Sequence, residues 1–320
     1  MKVLFFGTPQ FAIPSLDALH RAHEIVAVIT QPDRPAGRGR RLSPPPVAVR
    51  ARELGVAVLQ PERLRDVREE LLRLGPEIGV VVAYGKLIPR WLLDLPPRGF
   101  INVHPSLLPR YRGAAPIARA ILHGETQTGV TIIRLTEALD AGPILAQEAV
   151  PIEPTDTAAT LEVRLSELAA RLLLRTLEAI ETGTVEVRPQ DEEQATYFGK
   201  LTKEDGRIRW TDPADRIERH VRAMVPWPGA FTTRQGQLLK VWRARVWKEA
   251  TPHDTAGPGT VVQITPQGFV VATGGGALEI LEVQPAGGRR MPADAYVRGH
   301  GLRPGEVLGL NRSGTIAAEV

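Results

Sequence analysis

Residues 78–104 read IGVVVAYGKLIPRWLLDLPPRGFINVH. Ile78–Ala83 is apolar throughout, and Phe100–His104 is a second apolar run that closes on polar Asn102 and His104. Strands buried on both faces and separated by helix-length segments belong to a parallel sheet covered on both sides. The chain on either side repeats this grammar. Lys2–Phe6 is a short hydrophobic strand ended by Gly7-Thr8-Pro9, Pro14–Arg21 has helical spacing, and Glu24–Thr30 is a second β-branched run. Pro45–Leu54 and Arg63–Leu74 read as helices, the latter stopped by Gly75-Pro76. Thr131–Thr136 and Gly142–Ile152 add strands, and Thr157–Ile180 is a long amphipathic helix. The expectation is an α/β domain, a doubly wound, mostly parallel, Rossmann-like sheet over residues 1–187.

From Arg188 to Asp205 the sequence turns polar and reads as a surface linker. Beyond it come short strands at close spacing: Thr260–Ile264, Phe269–Ala272 and, after three glycines, Ala277–Val283. Short strands with Gly and Pro turns predict a small OB-like β-barrel over 206–314, with a frayed tail at 315–320.

Composition sets limits on function. The 320 residues are 43% hydrophobic and 24% charged, enough for a sizeable core. No apolar run approaches the ~20 residues of a membrane span, so no membrane partner is expected. The N-terminal run reads as a first strand, not a signal peptide. With no cysteine, thiolate metal sites and cysteine nucleophiles are excluded, and a cytoplasmic chain is the simple expectation. Of the 40 basic residues 34 are Arg, and there are two Asn in the chain, a bias that suits a thermophile or a GC-rich genome. The +4 net charge falls entirely within residues 201–320. That excess suits either an anionic partner such as nucleic acid or ordinary scatter.

The chemistry concentrates in Phe100–Pro116, FINVHPSLLPRYRGAAP. Asn102 and His104 are two apart on one strand, so their side chains share a face. A neutral amide donor beside a group that donates, accepts or carries charge suits the stabilisation of an oxyanion. A carboxylate that would tune the histidine is Asp140, which also fits an Asx-turn before Gly142-Pro143. GTPQFA after the first strand carries one glycine, so a dinucleotide fingerprint is absent, and no Walker sequence occurs. The remaining histidines lack ligand spacing, and no metal is expected. Thr30–Pro46 holds Arg34, Arg38, Arg40 and Arg41 with Gly and Pro throughout. It reads as a structureless loop, either solvated or made for phosphate contacts.

These segments together resemble the methionyl-tRNA formyltransferase family. The resemblance rests on FFGTPQFA (5–12), TQPDRPAGRGRR (30–41), VVVAYGKLIP (80–89), NVHPSLLPRYRGAAP (102–116), LDAGPIL (139–145), YFGKLTKEDGRIRW (197–210), VPWPGAF (225–231) and RGHGLRPGEVLG (298–309). The Asn-x-His-Pro-Ser-Leu-Leu-Pro core is shared with other folate-dependent formyltransferases, and one acting on a small amine is the alternative. The resemblance implies a formyltransferase domain followed by a tRNA-binding barrel, working as a monomer without metal. It implies transfer of the formyl group of 10-formyltetrahydrofolate to the α-amine of initiator methionyl-tRNA. By the same resemblance Asn102, His104 and Asp140 match the catalytic trio, Ser106, Leu107, Leu108 and Pro109 the folate segment, and the arginines at 34, 38, 40 and 41 the tRNA-gripping insertion.

Overall fold

The computed structural model describes residues 1–36, 41–249 and 256–309. The chain divides into two units, Met1–Pro116 with Gln127–Pro151 and Leu161–Gly199, and Ile117–Thr126 with Ile152–Thr160 and Lys200–Val320. The segment read as a linker is therefore divided, since 188–199 belongs to the first unit.

In chain order the first part holds β1 (Lys2–Gly7), α1 (Ile13–Ala22), β2 (Glu24–Ile29), β3 (Arg34–Ala36), β4 (Arg41–Ser43), α2 (Pro46–Glu53), β5 (Val58–Leu59), α3 (Arg68–Leu74) and β6 (Ile78–Val82). There follow α4 (Arg90–Leu93), β7 (Phe100–His104), β8 (Arg112–Gly113), α5 (Pro116–Leu122), β9 (Gln127–Arg134), β10 (Ile144–Pro151), α6 (Ala158–Thr182) and β11 (Tyr197–Phe198). Seven strands form one sheet in the order β10-β9-β7-β6-β1-β2-β5. Strands β5, β2, β1, β6 and β7 are parallel, whereas β9 and β10 are antiparallel additions. β1 is central because Val3–Phe6 are fully buried, and β6 is buried along its whole length. The chain leaves β1 first to one side and then to the other, which opens a crevice at the carboxyl ends of β1 and β6. There Thr8 Oγ1 and Gln31 Nε2 both donate to the Tyr84 carbonyl, at 3.0 and 3.1 Å. Helix α6 buries Leu161, Leu165, Leu168, Leu172 and Ile180, the three-and-four spacing of a single apolar stripe.

One expectation about this unit is corrected. The Arg-rich stretch is not structureless at its ends: β3 and β4 pair antiparallel, with Arg34 opposite Ser43 and Pro35 opposite Leu42. Arg38 and Arg40 lie outside the described residues.

The second unit adds α7 (Ala214–Ala223), β12 (Ala230–Arg234), β13 (Gln237–Trp247), β14 (Val261–Thr265), β15 (Gly268–Ala272), β16 (Ala277–Pro285), β17 (Met291–Pro292) and α8 (Ala293–His300). Its sheet runs β12-β13-β16-β15-β14, antiparallel at every pairing, with β17 on β16. Residues 305–309 join the two ends of that order. Leu308 N donates to the Gly259 carbonyl and Gly309 N to that of Thr233, both at 2.8 Å. Closure of this kind removes exposed strand edges. Strand β13 escapes a hydropathy reading because Lys240, Arg243 and Arg245 interrupt it. Arg245 is paired across the sheet with the buried carboxylate of Glu279 at 2.5 Å, which itself accepts from Thr265 Oγ1 at 2.7 Å. The tail at 315–320 lies outside the described residues.

Candidate active site

Strand β7 pairs in parallel with β6 and antiparallel with β9, with His104 opposite Thr131. Alternation along β7 sends Asn102 and His104 to one face, and the 135–143 loop folds back over that face. This brings the three expected side chains together. Asn102 Nδ2 donates to Asp140 Oδ1 at 3.3 Å, and His104 Nδ1 stands 3.7 Å from Asp140 Oδ2. His104 and Asp140 are both buried.

The protonation geometry of His104 follows from its other nitrogen. Nε2 lies 2.8 Å from the carbonyl oxygen of Tyr111, which can only accept. Nε2 therefore carries a hydrogen, and Nδ1 faces the carboxylate. Asp140 Oδ2 also accepts from the Gly113 backbone at 2.8 Å, so the carboxylate is oriented from two sides.

Backbone strain gathers here. Among the described residues five non-glycine residues have positive φ, and four of them, Ala83, Tyr111, Ala115 and Asp140, lie in the segments that follow β6, β7, β8 and β9. Such conformations cost ~1–3 kcal/mol each and persist only where surroundings over-determine them. The surroundings do so at Tyr111, whose backbone N donates to Thr196 Oγ1 at 2.8 Å and whose ring stacks on Phe198 at 5.6 Å.

The Ser106–Pro109 segment is held mainly by its own side chains. Ser106 Oγ donates to the Arg110 carbonyl at 2.8 Å, and buried Leu108 packs with Ile133 and Ile144. Leu107 lies over Gly129, where any Cβ would meet its Cδ2 at 2.6 Å. Along this loop's backbone Ser106 and Leu108 are buried, whereas Leu107 and Pro109 stay partly exposed. Two residues not anticipated from sequence fix that backbone. Buried Thr131 accepts from Leu108 N at 3.1 Å and donates to the Ser106 carbonyl at 2.6 Å. Gln147 Nε2 reaches the Leu108 carbonyl at 2.9 Å and Thr131 Oγ1 at 2.8 Å.

Residues 1–177 match the family described as formyl transferase, and residues 200–301 match the formyl transferase C-terminal domain. A methionyl-tRNA formyltransferase of Moorella thermoacetica is 48% identical over 97% of this chain and 99% of its own. One from Chloroflexus aurantiacus is 51% identical over 93% and 97%. The chain belongs to the methionyl-tRNA formyltransferase family.

In fold this formyltransferase resembles HypX from Aquifex aeolicus, solved in complex with tetrahydrofolic acid. It superposes with a TM-score of 0.63 at 20% identity over 93% of this chain, which spans 47% of that protein. No cluster of side chains able to hold a metal occurs among the described residues. Exposed Leu87 and Leu139 lie on the segments after β6 and β9, which the Arg90–Glu137 ion pair joins at 3.5 Å. Of the basic residues expected to meet tRNA, Arg34 is exposed on β3 and its Nη2 reaches Gln31 Oε1 at 3.4 Å.

Proposed function

We propose that this enzyme moves the formyl group of 10-formyltetrahydrofolate onto the α-amino group of initiator methionyl-tRNA, with Asn102, His104 and Asp140 as the reacting groups. What carries the reading is the meeting of these three side chains in a chain whose curated relatives, aligned through both units, are methionyl-tRNA formyltransferases.

The residues present suit a folate. Exposed Leu87 and Leu139 offer apolar surface to a flat ring system, and the partly exposed Leu107 and Pro109 of the Ser106–Pro109 segment add to it. When bound, 10-formyltetrahydrofolate supplies the formyl carbon and departs as the parent amine. Asn102, with one Nδ2–H on Asp140, directs the other to the formyl oxygen as that atom gains charge. His104, protonated at Nδ1, adds a second donor on the same face. Asp140, while His104 keeps its charge, takes up the proton that the attacking amine loses as its new bond forms, and returns it to the departing nitrogen as the old C–N bond breaks. No covalent enzyme intermediate is required.

Arg34, Arg38, Arg40 and Arg41 grip the acceptor end of the tRNA through its phosphates, assisted by the basic second unit. Charged initiator tRNA and a cysteine-free chain both suit the cytoplasm.

The test is a formylation assay with charged initiator tRNA and, in parallel, methionine amide. The reading predicts formylmethionyl-tRNA and a kcat/KM for the tRNA at least ~1,000-fold above that for the amide, as expected where remote binding drives turnover. Equal values would favour the small-amine enzyme.

A further inference from the structure

The polar stretch after α6 does more than connect. Arg112 is a fully buried arginine, and all its partners lie 78–85 residues further along the chain. Its Nη1 and Nη2 pair with the two carboxylate oxygens of Glu192 at 2.8 and 2.7 Å. That carboxylate holds the guanidinium above its ordinary value, and the guanidinium holds Glu192 below. Nε and Nη2 donate to Gln190 Oε1 at 3.1 and 2.8 Å, and Nη1 also meets the Tyr197 hydroxyl.

Two cationic N–H groups on its oxygen fix which way the Gln190 amide faces. Its Nε2 then points at the loop that carries Asp140, donating to the Asp140 carbonyl at 2.8 Å and to the Gly142 carbonyl at 2.7 Å. Between those carbonyls the loop has no slack. Asp140 sits at φ 50°, and a Cβ on Gly142 would lie 1.8 Å from the Arg134 carbonyl. Gly113, next to Arg112, donates to the Asp140 carboxylate, so the backbone and the side chain of this residue are each held from this side.

We propose that Gln190 is a positioning residue for Asp140, its amide clamped by the Arg112–Glu192 pair and holding the Asp140 backbone in its left-handed conformation. The inference rests on the reading of Asp140 as a reacting group. Removing the clamp leaves two carbonyls without their donor and lets the strained loop relax. A shift of about 1 Å in a reacting group costs on the order of a hundredfold in rate.

The experiment is a double-mutant cycle on the full chain, reading kcat and both KM values. Gln190→Leu should lower kcat roughly tenfold to a hundredfold while the KM for tRNA and for the folate stay within about twofold. In the Asp140→Asn background the same change should cost less than about threefold, because the group it positions is already gone. An undiminished kcat in Gln190→Leu, or an equal loss in both backgrounds, overturns the proposal. Should Gln190→Leu fail to fold, Gln190→Glu carries the test. It keeps a partner for Arg112 but replaces both donors by acceptors, and the same non-additive loss is expected. If Asp140→Asn itself kept full activity, the reading of the active site would fail. Loss in Asp140→Asn with none in the Gln190 variants would reject the clamp alone.

Discussion

Two loop systems of the first unit, both rich in Gly, Pro and Arg, are built in opposite ways. The loops that frame Asn102, His104 and Asp140 are cross-braced: Thr131 and Gln147 fix 106–108, Thr196 and Phe198 fix Tyr111, and Gln190 fixes Asp140. The β3–β4 hairpin has three residue pairs and, in its described part, one long side-chain bond, from Arg34 to Gln31. Its Leu42 is 70% exposed. On the proposed function the difference separates two tasks. Chemistry on a small group needs side chains fixed to fractions of an ångström. Capture of a polyanion needs charge that adapts to phosphates, which a weakly anchored segment supplies.

The largest expected effect falls on the braced side. Asn102→Ala and Asp140→Ala should each lower kcat a hundredfold or more, the range for a lost oxyanion donor or proton-transfer group. Asn102→Ala should change thermal stability little, since Asn102 is only partly buried, whereas Asp140→Ala deprives Asn102 and the Gly113 N–H of their acceptor and should lower stability by about 1–3 kcal/mol. Near-normal kcat in either variant would assign that residue to loop structure and erase the contrast.

A smaller effect is expected from the brace beneath the folate segment. Thr131→Val removes the hydroxyl shared by Ser106, Leu108 and Gln147 and leaves buried polar atoms unsatisfied. At ~1–2 kcal/mol this should raise the folate KM about tenfold, with the tRNA KM unmoved. A rise confined to the tRNA KM would show that the two loop systems are not separate.

Smallest, and of a different kind, is the effect on the unbraced side. Replacing Arg40 and Arg41 by Ala should raise the tRNA KM and flatten its log–log salt slope by about one unit for each lost phosphate contact. The folate KM and kcat should hold. A parallel rise in the folate KM would place this segment over the reacting groups as a lid.

The sequence made one side of this contrast readable and hid the other. Asn102 and His104 were visible because a strand alternates and because Asn is so rare in this chain. The parallel core of β1, β6 and β7 was visible for a similar reason, as continuous apolar runs have few other uses. Asp140 is ambiguous from its own neighbours, which suit an Asx-turn equally, and only the family resemblance singles it out. The bracing was hidden because its partners are polar and remote: Gln190 is 50 residues from Asp140 and 78 from Arg112. Polar residues in a Pro-containing stretch read as solvated linker, and only tertiary pairing turns them into supports. The β3–β4 hairpin was missed since three-residue strands holding Arg and Pro carry no period. The same limit applied to β13, whose charged positions look exposed until Glu279 is found opposite Arg245.

The separation of capture from chemistry is tested most directly by the salt dependence of the unaltered enzyme with initiator methionyl-tRNA. From about 50 to 200 mM salt, kcat/KM for the tRNA should fall steeply, with a log–log slope of several units set by the phosphates contacted. Over the same range kcat at saturating tRNA should stay within about twofold, because the braced groups do not depend on that contact. A kcat that fell in step with kcat/KM would contradict the account.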